Sequence, residues 1–330
     1  STPTGDIDAL VLAPKYVARD RDFFGTLYQI LQQKAEFNDQ ITDLTFVNYE
    51  HSITPLIKME FYDVSVDLVF ACIEDVSALD GEVKASGLSD RPNLANNHVL
   101  RPMDDKMKRS YNGFRNAEMI LNSVVDLRRD SDQIIRRKIG DYRTFLRLVK
   151  LWAKRKGVNE NKFGFLGGIA LAILCAKIFQ LFSSHAPLHL FERFLYIYST
   201  EWNWDKWPVK IVDDIVEDFG SERKQNYVRQ RFMYIMTPAW PQMNSSYNVS
   251  FSSREVMLKM MRDSHAELTS NLAKRNLDVV SFYQPFDFFC QHDQFLEITI
   301  GGRSEDPDQF LLWKGYIEAK LRYLTEELEH

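Results

Sequence analysis

The stretch TGDIDALVLA, residues 4–13, places two carboxylates around one isoleucine and then continues as an apolar segment. Gly5 on one side and Pro14 on the other bound the segment, which predicts a β-strand. Side chains alternate between the faces of a strand, so Asp6 and Asp8 point the same way with Cα atoms about 7 Å apart. Two carboxylates this close repel unless a cation lies between them or a proton neutralises one. An Asx-rich turn ahead of a strand is the simpler interpretation of an isolated D-x-D, so the rest of the sequence must decide.

A third carboxylate lies on a later predicted strand, VSVDLVFA at residues 64–71. The apolar residues of this strand alternate, and Asp67 lies on the face opposite the main apolar series. An aspartate on an edge strand that faces water would produce the same pattern. Beside Asp6 and Asp8, Asp67 becomes a candidate third member of one cluster.

The composition limits the class of protein. The chain has 330 residues, of which 45% are hydrophobic, so it can bury a large core and two or three domains are expected. Its three cysteines lie far apart among apolar neighbours, which predicts buried, reduced thiols in an intracellular protein. The longest apolar run, residues 165–182, is interrupted by Lys177 and Gln180. This run therefore predicts a buried helix rather than a membrane span.

Charge is distributed unevenly along the chain. The formal net charge is −5, which argues against a nonspecific cationic nucleic-acid binder. Between residues 101 and 156, however, the sequence has 16 Lys and Arg against 7 Asp and Glu. Arg143, Arg147, Lys150 and Lys154 form a cationic stripe on one predicted helix, with no glutamate between them. Such a local excess favours an anion-binding surface, while a solvated helix face stays open as the alternative.

A glycine pair precedes a long apolar helix in FGFLGGIALAIL, residues 163–174. Glycines at this point let backbone amides approach a ligand closely, at the positive end of the helix dipole. Close packing of two helices is the competing interpretation, and the stronger one for a lone pair. Further along, residues 236–250 predict an ordered loop, residues 294–300 (QFLEITI) a strand, and residues 307–328 an amphipathic helix.

Six segments of the chain occur in the same order in eukaryotic nuclear poly(A) polymerases. They are GDIDALVLAPKYV, VSVDLVFA, SYNGFR, LVKLWAKRKGV, GFLGG and TPAWPQMNSSYNVS. The chain resembles this family from Gly5 to about residue 325. The last segment is close to specific for the family, whereas D-x-D with a distant third aspartate is shared by the polymerase-β-like nucleotidyltransferase superfamily.

The resemblance implies an α+β protein with three parts. A polymerase-β-like nucleotidyltransferase α/β catalytic domain is expected over residues 1–136, and a helical middle domain over residues 137–265. An incomplete RNA-binding domain, similar to an RNA-recognition fold, is expected over residues 266–330. The superfamily's Gly-Ser turn lies upstream of the first aspartate, and half of the RNA-recognition fold is missing, so we expect a truncated chain or the ordered part of a longer protein.

The resemblance also implies the chemistry of the carboxylates. The family adds AMP from ATP to RNA 3′ ends without a template, and Asp6, Asp8 and Asp67 match its three metal-binding aspartates. Two Mg²⁺ ions, for which Mn²⁺ is an expected substitute, would stabilise the attacking and leaving oxygens of an in-line displacement. Asp6 and Asp8 would hold the metals that carry the triphosphate, and Asp67 the metal that activates the RNA hydroxyl.

Further residues match the positions that bind ATP in the family. They are Asn112, Lys150, Lys154, Asn161, Gly167, Gly168 and Thr237. The resemblance implies that the lysines reach the phosphates, the glycines pack against the nucleotide, the asparagines face ribose and base, and the threonine lines the adenine pocket. Two positions depart from the family, because Asn159 stands where tyrosine is usual and Thr54 where valine is common. The details of base selection therefore stay open.

The partners implied by the resemblance are ATP, a single-stranded RNA 3′ end and subunits of the cleavage and polyadenylation factor, in the nucleus and away from membranes. ATP is expected between the first two domains. A terminal uridylyltransferase, or another RNA nucleotidyltransferase, would use the same three aspartates. A catalytically silent RNA-binding relative is a further alternative, and the intact set of aspartates argues against it.

Overall fold

The structure is a computed structural model. It describes residues 6–37, 40–47, 54–74, 97–212, 232–274, 278–291, 293–301 and 307–329. The chain divides into two compact units, Ser1–Asn122 and Ser123–His330. The expected boundaries of three domains stay a prediction. Among the described residues, no helix combines the length and the apolar character needed to cross a bilayer.

The described residues of the first unit contain a four-stranded sheet in the spatial order β1-β4-β3-β2. Its strands are β1 (Ile7–Pro14), β2 (Ile41–Val47), β3 (Leu56–Phe61) and β4 (Val64–Ile73). Strand β1 runs parallel to β4, and β3 is antiparallel to both β4 and β2. Tyr62 and Asp63 form the tight turn between β3 and β4 with positive φ angles, as a two-residue hairpin requires. The strands predicted at both aspartate motifs are confirmed.

One face of this sheet carries an apolar core. Phe23 packs its ring 5.2 Å from that of Phe70, and the core includes Ala13, Ile57 and Cys72. Phe23 lies in a π-helical segment, Arg19–Leu27, that continues into helix α1, Tyr28–Phe37.

The rest of the described first unit is helical. A 3₁₀ turn spans Asn97–Leu100, and helix α2 spans Asp105–Ser123. Helix α2 buries Tyr111, Arg115 and Ile120. A buried arginine in this position needs hydrogen-bond acceptors around it.

The described part of the second unit is dominated by helices. They are α3 (Asp132–Arg155), α4 (Gly168–Leu181), α5 (Pro187–Tyr196), α6 (Phe251–Ala273), α7 (Val279–Phe282), α8 (Phe288–Gln291) and α9 (Pro307–Leu328). Helix α3 packs against α4 and α5 through the fully buried residues Phe145, Val149 and Trp152. The indole Nε1 of Trp152 donates to Ser264 Oγ over 2.9 Å. The helix predicted to carry Arg143, Arg147, Lys150 and Lys154 and the buried helix predicted within residues 165–182 are confirmed.

Two expectations for the second unit are wrong. Residues 294–300 form no strand, because a strand needs a neighbour for its backbone hydrogen bonds and no described segment pairs with it. Phe295 instead contacts the rings of Phe288 and Phe289 at 5.4 and 5.2 Å. Cys72 and Cys175 are buried as expected, but Cys290 is exposed. The amphipathic helix predicted over residues 307–328 is confirmed as α9.

Candidate functional site

Asp8 and Asp67 are partners in the parallel register of β1 and β4. Neighbouring strands lie about 4.8 Å apart, and register partners in a parallel pair share one face of the sheet. The two carboxylates therefore lie side by side, on the face opposite the Phe23 core. Asp6 lies two residues before Asp8, directly before the start of β1.

The environment of Asp67 disfavours its charged form. Burial raises the pKa of the Asp67 carboxyl, the nearby Lys58 ammonium lowers it, and the charges of Asp8 and Asp6 raise it further. Lys58 Nζ lies 3.9 Å from Asp67 Oδ1, which is beyond hydrogen-bonding distance. This oxygen is buried and has no hydrogen-bond partner in the part of the chain that the structure describes. A cation or a proton at this position would relieve the cost of the buried oxygen.

The donor chemistry fits a hard divalent cation. Mg²⁺ binds oxygen ligands and keeps several waters, so one or two carboxylates together with substrate phosphates suffice. Asp8 and the unpaired oxygen of Asp67 supply such ligands. Within the described residues, however, no three His, Cys, Asp or Glu side chains form a complete ligand group. The role of Asp6 as a further ligand stays a prediction.

In the second unit, the structure brings Lys150 to the start of helix α4. Gly167 is the N-cap of this helix, and no side chain caps it, so its first backbone N–H groups lack a side-chain acceptor. A Cβ added to Gly168 would lie 3.5 Å from Lys150 Nζ. An ammonium group and the positive end of a 14-residue helix thus converge on one point. This combination attracts anions, and the glycine leaves room for one. The role of these residues in binding a nucleotide stays a prediction.

Asn161 lies at the same place. A Cβ added to Gly167 would lie 3.5 Å from the Cβ of Asn161. The side-chain oxygen of Asn161 is buried without a hydrogen-bond partner among the described residues. It can accept from a hydroxyl or an amino group. An acceptor beside an anion site suits the sugar or base of a nucleotide.

The backbone around Asn161 is held by residues from a distant segment. Asn248 Nδ2 donates to the Asn161 carbonyl over 3.1 Å, although the two residues are 87 positions apart. Gly164 has a φ of 84°, and a Cβ there would lie 3.1 Å from both Asn248 O and Ser253 Oγ. Only glycine combines this positive φ with such a close approach. Asn248 belongs to the segment TPAWPQMNSSYNVS, residues 237–250. Its position in this segment is the signal that could have identified its role.

Thr237 forms two hydrogen bonds with Met243 and so closes the loop between them. Its hydroxyl oxygen accepts from the Met243 amide over 2.8 Å, and its amide donates to the Met243 carbonyl over 2.9 Å. The side chain is buried. The next residues continue this network, since Asn244 Oδ1 accepts from the amides of Ile235 and Ser246. Residues 236–250 therefore form an ordered loop, as predicted. The role of Thr237 in lining the adenine pocket stays a prediction.

In the first unit, Asn112 is held by a residue that the sequence reading missed. Arg115 is 2% exposed and donates from Nη1 to Asn112 Oδ1 over 2.9 Å and from Nη2 to Asn97 Oδ1 over 2.6 Å. Arginine has only donors, so both amides turn their oxygens toward it. Arg115 therefore fixes the orientation of the Asn112 amide. The three-residue spacing of Asn112 and Arg115 on helix α2 is the signal that could have linked them.

Lys154 lies one turn beyond Lys150 on helix α3, and both are exposed. The structure thus brings together Lys150, Asn161, Gly167 and Gly168 in the second unit. It places Asp8 beside Asp67 in the first unit. Their shared use by one nucleotide stays a prediction.

Comparison with known proteins agrees with this geometry. A family model described as the poly(A) polymerase nucleotidyltransferase domain matches residues 1–124. A second, described as the poly(A) polymerase central domain, matches residues 141–285. The chain belongs to the poly(A) polymerase family. Polymerases of this nucleotidyltransferase class generally use divalent metal ions.

Individual relatives match nearly the whole chain. Nuclear poly(A) polymerase 4 of Arabidopsis thaliana is 34% identical over 99% of this chain and 40% of its own length. Nuclear poly(A) polymerase 2 of the same plant is 32% identical, and the poly(A) polymerase of Dictyostelium discoideum 33%, each over 99% of this chain and 37% of its own length. The chain spans about two fifths of the length of these relatives.

Among solved structures, a mutant of the Cid1 poly(U) polymerase bound to MgATP has a similar fold. It superposes with a TM-score of 0.50 at 14% identity, over 86% of this chain and 82% of that chain. This similarity supports the polymerase-β-like nucleotidyltransferase fold and says nothing about the base that this chain selects.

Proposed function

We propose that this chain adds AMP from ATP to the 3′ end of single-stranded RNA without a template. The observation that carries the proposal is the register pair of Asp8 and Asp67, with one buried carboxylate oxygen left unpaired. Membership of the poly(A) polymerase family supports adenylyl transfer as the reaction. ATP and RNA are the proposed substrates.

The reaction is a displacement at phosphorus. The RNA 3′ oxygen attacks the α-phosphorus of ATP, a new phosphodiester forms, and the bond to pyrophosphate breaks. Bound Mg²⁺ ions would supply charge stabilisation for the attacking and leaving oxygens. Asp6 and Asp8 would hold the ions on the triphosphate side, and Asp67 would serve the side of the RNA hydroxyl. The carboxylates have the oxygen chemistry that this role requires.

The second unit supplies the proposed nucleotide contacts. Lys150 and the amides at the start of helix α4 would bind phosphate oxygens, because ammonium charge and helix dipole act together there. Lys154 would add a second charge. Asn161 would accept a hydrogen bond from ribose or base through its unpaired oxygen. Asn112, oriented by Arg115, would donate to the ribose, and Thr237 would line the adenine pocket.

We place the protein in the nucleus, in line with the names of its relatives. Subunits of a cleavage and polyadenylation factor would bring it to its transcripts. Mg²⁺ is the proposed resident ion, with Mn²⁺ as a substitute.

A primer-extension assay tests the proposal. A labelled single-stranded RNA is incubated with the purified chain and each nucleoside triphosphate in turn, with Mg²⁺ and with chelator. We expect stepwise extension with ATP that chelator abolishes. Extension with UTP in preference to ATP would overturn adenylyl transfer in favour of a uridylyltransferase. No extension with any nucleotide would favour the catalytically silent relative.

A further inference from the structure

Helix α3 carries a longer row of cations than the sequence pattern alone indicated. We define the α3 stripe as Arg136, Arg143, Arg147, Lys150 and Lys154. All five side chains are exposed. At 3.6 residues per turn they fall within an arc of about 60°, over a length of roughly 27 Å.

The cations of the α3 stripe have no ion-pair partners within 4.0 Å in the described part of the chain. Lys138 on the same helix shows the contrast, because its Nζ lies 2.6 Å from Asp130 Oδ2. Asp132, in the first turn, lies on the same arc and forms no ion pair with Arg136. Like charges at this spacing destabilise a helix, so the stripe does not serve local stability.

A glycine lies at the edge of the stripe. Gly140, between Arg136 and Arg143 in the sequence, falls about 20° outside the arc of the five cations and is exposed. A Cβ added there would meet nothing within 4 Å. Glycine in a helix interior costs about 1 kcal/mol relative to alanine. Neither crowding nor a positive φ explains this glycine, and it leaves the backbone open to a ligand along the stripe.

We infer that the α3 stripe is the surface along which the sugar–phosphate backbone of the RNA primer lies. The inference rests on the proposed function and adds to it the path of the RNA. One section of the stripe, at Lys150, adjoins the anion site at Gly168. Arg147, Arg143 and Arg136 extend from it in a line, as successive phosphates would require. Lys150 and Lys154 bind ATP in the proposed function, so the part of the stripe left for the primer is Arg136 to Arg147, a length of about 16 Å. At roughly 3.4 Å per stacked nucleotide, this part matches about five nucleotides.

RNA fits this surface better than an acidic protein does. A stable protein interface needs apolar side chains at its buried centre. The α3 stripe consists of cations, and no apolar side chain lies on its arc. A phosphate backbone is bound by charges alone, with release of counterions.

Charge variants of the chain test the path. Arg136→Gln and Arg143→Gln together remove two proposed phosphate contacts. Gly140→Glu places a carboxylate into open space at the edge of the stripe without a clash. The matched controls are Arg137→Gln, an exposed neighbour about 100° around the helix with the same charge change as the single variant Arg136→Gln, and Gly140→Ala.

The measurement is fluorescence anisotropy with labelled single-stranded oligoadenylate of four to about twelve nucleotides, at several salt concentrations. Affinity for the unaltered chain should rise with length up to about five nucleotides. The double arginine variant should lose about tenfold in affinity near 100 mM salt, and its salt slope should fall by about 1.4, since each single-strand contact contributes about 0.7. Gly140→Glu should lose at least as much, while Arg137→Gln and Gly140→Ala should stay within about twofold.

Primer extension separates this inference from the proposed function. The turnover number at saturating RNA should stay unchanged in the double variant, while the KM for RNA rises about tenfold. No AMP addition by the unaltered chain would refute the proposed function, and the binding series would still test the stripe as an RNA surface. Equal losses in Arg136→Gln and Arg137→Gln would show that only net charge matters and would overturn the path. Polyglutamate that binds as tightly as RNA, with the same response to the variants, would overturn it in favour of an acidic protein partner.

Discussion

Asp8 and Asp67 face each other across the parallel pair β1–β4, and the buried Oδ1 of Asp67 has no hydrogen-bond partner in the described part of the chain. Lys58, at 3.9 Å, is close enough to interact with this oxygen and too far to satisfy it. The register of the sheet thus fixes the positions of the two carboxylates. Since Asp67 Oδ1 makes no hydrogen bond in the described part of the chain, none has to break when this oxygen binds a cation. Fixed ligands of this kind lower the reorganisation that catalysis requires.

The carboxylate pair should be essential for transfer and dispensable for folding. Asp8→Asn or Asp67→Asn should each lower AMP incorporation by at least about 100-fold, because charge stabilisation provides most of the rate in phosphoryl transfer. The melting temperature of Asp67→Asn without metal should be no lower than that of the unaltered chain, since a buried charge is removed. Differential scanning fluorimetry and primer extension measure the two effects.

The turn residue Asp63 offers a matched control for this pair. It lies at the start of the same strand region with a φ of 60°, a conformation that asparagine also adopts. Asp63→Asn should therefore keep normal incorporation. Near-normal incorporation by Asp67→Asn would show that the register pair is not the metal site.

The anion site at helix α4 should govern the use of ATP. Lys150→Ala should raise the KM for ATP by about tenfold or more, since a hydrogen bond to a charged group is worth about 1.5–3 kcal/mol. Gly168→Ala should fold normally, because its Cβ would make an ordinary 3.5 Å contact with Lys150 Nζ. The added methyl would still occupy the space for a phosphate oxygen, so the KM for ATP should rise at least about threefold.

Steady-state kinetics at saturating RNA measure both changes. Gly315→Ala is the control for the glycine, because its Cβ would meet nothing within 4 Å. If Lys150→Ala and Gly168→Ala both left the KM for ATP unchanged, the convergence of lysine and helix terminus would have no role in binding ATP.

Local patterns predicted the parts of the site that lie within single elements. Alternation placed Asp67 on a strand, and helical spacing placed Lys150 on a helix. The glycine pair was correctly placed at a helix start, because Gly168 begins α4. These features depend on neighbours within about four positions, which periodicity describes.

Contacts between distant segments could not be predicted in this way. Asn248 reaches Asn161 across 87 positions, and Arg115 reaches Asn97 across 18. No spacing rule encodes such pairs, since they depend on how elements pack. The failed strand at residues 294–300 has the same cause, because alternation describes an extended chain and only a partner strand makes it part of a sheet.

The loop of residues 236–250 should depend on Asn244 for its stability. Asn244→Ala would leave the buried amides of Ile235 and Ser246 without their acceptor. Each buried donor left unpaired costs roughly 1–3 kcal/mol, so the free energy of unfolding should fall by at least about 2 kcal/mol. Urea unfolding followed by circular dichroism measures the loss. Met243→Ala is the control, because its side chain is 43% exposed, and it should change the free energy of unfolding by less than about 0.5 kcal/mol. An equal effect of both substitutions would contradict the role of the Asn244 network.

The ion pair of Asp130 and Lys138 should make stability depend on acid pH. The Lys138 ammonium, 2.6 Å from Asp130 Oδ2, and the Asp126 amide hold the pKa of Asp130 below its ordinary value. A carboxyl with a lowered folded-state pKa contributes its full stability above the unfolded-state pKa, about 3.9, and loses it as pH falls through the folded-state pKa. The stability difference between the unaltered chain and Asp130→Asn should therefore be constant from about pH 5.5 to 7 and shrink below about pH 4. The midpoints of urea unfolding across this pH range measure the stability difference. In a Lys138→Gln background, the pH-dependent part of this difference should be much smaller. A stability difference that is equal at pH 3 and pH 7 would show that the ion pair does not perturb the pKa of Asp130.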